Sequence, residues 1–199
     1  MRSAAPRASR GPDARRVALE RFARAVEACR RCPLGRQRTQ AVVYRGGARP
    51  RLVFVGEAPG AEEDRVGLPF VGRSGQILDR AIATLGLPVG RVGILNVLKC
   101  RPPENKFDRA AADACRPHFE RQLALLRPRA LVSLGTSALR ALDPGAPPML
   151  VAAGTPRATA FGPLFPLIHP AASLRSGAMR TRWTTDVARL AGWVASAGV

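Results

Sequence analysis

The chain has 199 residues, 46% of them apolar and 23% charged, which suits one compact soluble domain and excludes a fibrous or wholly disordered chain. Lys and Arg number 32 against 14 Asp and Glu, a formal charge of +18. No apolar run approaches the roughly 20 residues of a membrane helix, so the charge points to a polyanionic partner, nucleic acid ahead of an anionic lipid surface.

Residues 1–13 are basic, small and Pro-punctuated, and are expected to form a disordered arm ahead of a single domain over 14–199. An acid-poor, Arg- and Ser-bearing start also looks like an organelle transit peptide, but the arm is the preferred reading. From Ala14 to Arg31, Val17, Leu19, Phe22, Val26 and Cys29 mark a helical apolar face. Four short apolar runs follow, Leu52 to Val55, Val92 to Leu98, Ala130 to Leu134 and Leu164 to Ile168. Helical stretches alternate with them at Gln76 to Leu85, Arg109 to Leu126 and Ser137 to Leu142, and Thr184 to Val194 forms a last helix. Alternating strands and helices predict a three-layer α/β/α sandwich around a four-stranded, mostly parallel sheet.

Ligands of such sheets bind at the carboxyl ends of the strands. Three polar clusters lie there: Gly56-Glu57-Ala58-Pro59-Gly60, then Asn96 with Lys99 and Cys100, then His169-Pro170. Each alone has a plain reading, as a turn, a strand-end amide and a structural histidine, and the acidic run Glu62, Glu63, Asp64 suits a helix start. Their convergence on one edge favours function. His118, beside Pro117 inside a helix, reads as serving packing or solvation. The four cysteines, Cys29, Cys32, Cys100 and Cys115, begin with the C-x2-C spacing of metal sites. Nothing at the start of the chain reads as a secretory signal, so a metal accounts for them better than a disulfide framework does. Zinc and an iron-sulfur cluster both accept four thiolates, and spacing does not separate them.

These motifs in this order resemble the iron-sulfur, family 4 uracil-DNA glycosylases. The resemblance is carried by C29-R-R-C32-P-L, VGEAPGAEEDRVGLPFVGRSGQILDR from Val55 to Arg80, ILNVLKCRPPENK from Ile94 to Lys106, Cys115, LVSLGTSALRAL from Leu131 to Leu142, and HPAASLR from His169 to Arg175. It implies the uracil-glycosylase sandwich and a 4Fe-4S cluster on Cys29, Cys32, Cys100 and Cys115, structural in role and bringing the Arg-rich segment Arg30 to Arg38 near the DNA-binding edge. It also implies a monomeric enzyme, cytoplasmic in a bacterial or archaeal cell, that removes uracil from single- or double-stranded DNA.

By the same resemblance Phe70 stacks under the flipped base, Asn96 reads its edge, Glu63 crowds the position of a thymine methyl, and Glu57, Ala58 and Pro59 line the pocket. His169 donates to uracil O2 as charge builds on the leaving base. Ser173, Leu174 and Arg175 form the minor-groove loop, with Leu174 the wedge and Arg175 a phosphate contact. A sister family carries an aspartate where this chain has Ala58, so Glu57 is the expected water-positioning group. Ala172 and Ser173 stand where many family members carry a larger residue. Between Cys100 and Cys115 there is no histidine, unlike a relative that is trapped covalently on uracil. No lysine lies in the pocket motifs, so no lyase step is expected, and Lys99 is expected to face the cluster loop or DNA. Two other readings compete: a catalytically silent module that senses uracil, and a cluster-bearing redox protein.

Overall fold

The computed structural model describes residues 13–199. The expected arm therefore lies outside the described residues except for Asp13, and Asp13 belongs to the domain. Its carboxylate caps the first helix by accepting from the Arg15 amide at 3.1 Å and is gripped by Arg49 at 2.9 Å. The Arg49 guanidinium, with the Arg15 amide second, holds this carboxyl down at about 2.

In chain order the elements are α1 (Ala14–Glu27), α2 (Leu34–Gln37), β1 (Arg45–Gly46), β2 (Leu52–Gly56), α3 (Ala61–Val66), α4 (Arg73–Ala83) and β3 (Val92–Asn96). There follow α5 (Arg109–Leu126), β4 (Ala130–Leu134), α6 (Thr136–Leu142), α7 (Met149–Ala152), β5 (Arg157–Thr159), β6 (Gly162–Leu167) and α8 (Gly177–Ser196). Helix α1 stops at Glu27, short of the expected Arg31. The Arg38 guanidinium collects the carbonyls of Val26, Glu27 and Cys29, satisfying acceptors that a helix end otherwise leaves open, and Cys29 and Cys32 fall in the turn beyond.

The sheet has six strands in the order β1-β3-β2-β4-β6-β5. Its four central strands are the expected ones and are mutually parallel. Strands β2, β3 and β4 are buried along their whole length, which is why their sequences, LVFVG, VGILN and ALVSL, are largely apolar without alternation. The expected four-stranded sheet is extended at both edges by short antiparallel strands, β1 on β3 and β5 on β6. With two and three residues, these edges are too short to show a period in sequence.

After β2 the chain moves to one side to form β3, and after β4 it moves to the other to form β6. The adjacent strands β2 and β4 therefore feed loops in opposite directions, and a crevice opens between their carboxyl ends. Phe54, Leu95, Val132 and Phe165 from the sheet and Leu78, Phe119, Leu139 and Leu190 from the helices form the continuous core beneath it. Full burial of each such side chain contributes about 1.5–3 kcal/mol.

Phe70 sits between α3 and α4 with φ of 56°, in a region that bulky side chains avoid. This conformation costs roughly 1–3 kcal/mol and persists because its surroundings impose it. One constraint is Gly75 in α4, where an added Cβ would stand 1.9 Å from the Phe70 carbonyl oxygen. Gly75→Ala should displace the Phe70 backbone and destabilise the fold by about 2 kcal/mol or more despite alanine's better helix propensity. Thermal melting of the variant reads this; a melting temperature equal to or above that of the parent would contradict the close approach.

Candidate active site

Three side chains from distant parts of the chain meet above the crevice. Gly56 ends β2 and is paired in register with Asn96, which ends β3. A Cβ added at Gly56 would lie 2.3 Å from Asn96 Oδ1 and 2.5 Å from the Phe70 ring, so glycine is what lets the amide and the ring share this space. The Phe70 and His169 rings lie 5.8 Å apart between centres and are tilted by 33°. Phe70, Asn96 and His169, named from three separate motifs, are thus near neighbours in space. Asn96 is only 1% exposed, yet among the described residues neither its Oδ1 nor its Nδ2 has a hydrogen-bond partner. Two unpartnered polar atoms on one buried amide are rare unless a ligand is to engage them.

His169 follows β6 directly. Its Nδ1 accepts the Ala171 amide at 3.2 Å, which puts the proton of the neutral ring on Nε2. Burial, reinforced by Arg175 and opposed by Glu63, lowers the imidazole pKa to about 4. The ring is therefore neutral at physiological pH and presents a single N–H donor. His118 packs edge-on against Phe22, 6.1 Å between ring centres, in keeping with a packing role.

The two glutamates of the first motif behave differently. Glu63 was expected to crowd a methyl group, but both its oxygens are engaged by backbone: Oε2 accepts from Gly60 at 3.1 Å, and Oε1 from Val71 and Gly72 at 2.9 Å each. It clamps the GEAPG turn to the segment that carries Phe70, and this is the second constraint on that residue's backbone. Glu57, at the end of β2, accepts one hydrogen bond, from the Ser137 hydroxyl at 2.5 Å. Of the other expected lining residues, Pro59 is buried and Ala58 half-buried beside them. Ser137 was missed by sequence reasoning; the signal available was its place just past the strand Ala130 to Leu134.

The four cysteines also come together. Cys100 lies within electrostatic reach of Cys115 and Cys32, and Cys115 within reach of Cys32 and Cys29. Burial pushes the Cys100 and Cys115 thiols up, so they need a cationic partner to ionise. Two cations are at hand. Arg38 Nη1 stands 2.9 Å from Cys100 Sγ, so at least this member of the Arg30 to Arg38 segment turns inward. Lys99, expected at the cluster loop or DNA, is 1% exposed and does not reach a DNA surface. Its Nζ donates to the Asn96 carbonyl at 2.5 Å and lies 5.6 Å over the Phe119 ring. Burial lowers its pKa to about 8, against the pull of Cys115 and Cys100. A donor set of four thiols flanked by two cationic side chains fits an anionic thiolate-bound group. Among the described residues, no three Cys, His, Asp or Glu side chains close around a single ion.

The loop after His169 divides. Leu174, 48% exposed, and Arg175 project to solvent, where a wedge and a phosphate contact would be. Ser173 does not join them: it is buried, and its hydroxyl donates to the Pro170 carbonyl at 2.7 Å, shaping the turn from within.

Among the described residues, no helix is long and apolar enough to cross a membrane. A family model described as the uracil DNA glycosylase superfamily matches residues 43–189. A type-4 uracil-DNA glycosylase of Pyrobaculum aerophilum is 42% identical over 125 residues, 62% of this chain and 64% of that protein. Relatives of the same description from Thermotoga maritima and Archaeoglobus fulgidus are each 42% identical, over 61% of this chain and 64% of the first protein, and 59% of this chain and 59% of the second. The chain thus spans less than two thirds of the length of these curated relatives. The match nevertheless covers the strands, the loops and every residue of the hollow, and the chain belongs to the uracil DNA glycosylase superfamily.

Proposed function

We propose that the chain is a monofunctional uracil-DNA glycosylase, hydrolysing the N-glycosidic bond of deoxyuridine in single- or double-stranded DNA to leave an abasic site. The observation that carries this reading is the buried, unpartnered Asn96 amide facing the Phe70 and His169 rings. An amide donates to uracil O4 and accepts from N3–H. Cytosine presents the opposite donor and acceptor order, and a mismatch that leaves buried polar groups unpaired rejects an analogue by roughly 10⁴-fold.

A base inside a duplex must be extruded to reach such a hollow, at a cost of a few kcal/mol. Leu174 would fill the vacated stack, and Arg175 with the surplus arginines would offset the cost by binding phosphates. Phe70 would stack under the base. Glu63 would exclude thymine through the backbones it clamps, keeping the wall of Gly60 and Val71 close to the pyrimidine C5 edge. As the glycosidic bond breaks, the His169 Nε2–H would meet the charge growing on O2, and Glu57 would orient the attacking water or stabilise the sugar cation. Cys29, Cys32, Cys100 and Cys115 would hold a 4Fe-4S cluster, whose contribution when bound is to tie the turn after α1 to the loop after β3 and to α5. We read the protein as a cytoplasmic monomer acting on DNA.

Incubation with a uracil-bearing oligonucleotide should give alkali-labile breaks; tight binding without breaks would favour a silent uracil sensor instead. Asn96→Asp should gain measurable release of cytosine, since a carboxyl can present the reversed pattern, and unchanged refusal of cytosine would remove the edge-reading role. His169→Ala should lower the single-turnover rate by about 10²–10³ while leaving DNA affinity intact. Because the imidazole takes up its proton only near pH 4, the parent rate should show no histidine-dependent break around pH 6.5. Such a break, absent from the alanine variant, would contradict the neutral-donor assignment.

A further inference from the structure

We infer that Ser137 is a positioning residue for the hydrolytic step, its hydroxyl setting the Glu57 carboxylate at the angle that serves the attacking water. The inference rests on the role proposed for Glu57. Glutamate has three rotatable side-chain bonds, and Glu57 is half-buried just past the end of β2, so a carboxylate left unheld would have several staggered orientations open to it. Among the described residues a single hydrogen bond reaches its carboxylate, from Ser137 Oγ to Oε2 at 2.5 Å. That bond crosses the gap between the ends of β2 and β4, where the loops diverge. It occupies one carboxylate oxygen and, among the described residues, leaves Oε1 without a hydrogen-bond partner. Orienting a reacting group in this way is worth large factors in rate when the bound geometry is close to that of attack.

The turn that delivers Ser137 is itself tied to the leaving-group side of the hollow. Gly135, with φ of 87°, links β4 to α6, and a Cβ there would stand 3.2 Å from the His169 Cβ. The Gly135 amide also donates to the Leu167 carbonyl at 2.9 Å. One turn therefore rests against the histidine on one side and holds the glutamate on the other, so the donor to the base and the group facing the sugar keep a fixed relation.

The test is a double-mutant cycle in single-turnover base release with Ser137→Ala, Glu57→Gln and the pair, alongside binding of uracil-containing DNA and thermal melting. Ser137→Ala should lower the rate about tenfold with DNA affinity unchanged, Ser137→Thr should restore it to within about threefold, and the alanine change should cost nothing further in the Glu57→Gln background. A full tenfold loss in that background would show a merely structural role and overturn the inference. So would an unchanged rate in Ser137→Ala while Glu57→Gln is slow. If Glu57→Gln is as fast as the parent, the role of Glu57 fails first, and the inference falls with it. Should Ser137→Ala not fold, the threonine variant decides: it keeps the hydroxyl, and slow turnover in a stably folded Ser137→Thr protein would count against the hydroxyl as the acting group.

Discussion

A buried amide without a partner is expensive, roughly 1–3 kcal/mol for each unsatisfied group, and Asn96 leaves both ends of its amide open. Much of the surrounding structure holds that amide where it is. The register of β2 against β3 brings Gly56 beside Asn96, and the missing Cβ there admits the Phe70 ring to the same space. Phe70 adopts its unfavourable backbone conformation because Glu63 grips the two following amides and Gly75 packs on its carbonyl. Lys99 holds the Asn96 carbonyl from behind, which links the hollow to the cysteines. A strained backbone and an amide with two unmet polar atoms thus lie side by side, supported by strands β2 and β3, which are buried along their whole length.

The distribution of charge follows a similar division. Several carboxylates are taken up by arginines within the fold: Asp13 by Arg49, Asp79 by Arg45, Asp143 by Arg157, and the fully buried Asp186 by Arg182. The exposed pairs among them, such as Asp79 with Arg45, contribute little stability, about 0–1 kcal/mol each, but all of them consume the few acids the chain has. What remains is a large uncompensated positive surface, suited to a phosphate backbone through counterion release. Arg38 and Lys99 are exceptions, turned inward to face cysteines instead of solvent.

How much of this could be read from the sequence depended on whether a feature is local. The central strands were legible because burial on both faces leaves continuous apolar runs, and the helices because their apolar positions recur. Asn96 and His169 stood out because strand ends are where α/β sheets bind ligands, whereas Phe70 was named only through the resemblance of its motif to a known family. The edge strands were too short to carry a pattern, and α8 begins at Gly177, well ahead of the apolar face that marked it from Thr184. The working partners of Glu57 and Arg38 are set by which side chain arrives from a distant element, and those of Glu63 and Ser173 by how the local turn folds. No spacing in the sequence encodes that the Glu63 carboxylate meets the amides of residues 71 and 72, or that Ser137 lies across the crevice from Glu57.

The most direct measurement is titration of the whole protein with free uracil, cytosine and thymine, following the side-chain amide resonances of Asn96 by nuclear magnetic resonance. A hollow built around an amide awaiting its partners predicts that uracil shifts both Asn96 Nδ2 protons while cytosine and thymine leave them in place. Uracil that leaves those protons unmoved, or cytosine that moves them equally, would contradict the account at its centre.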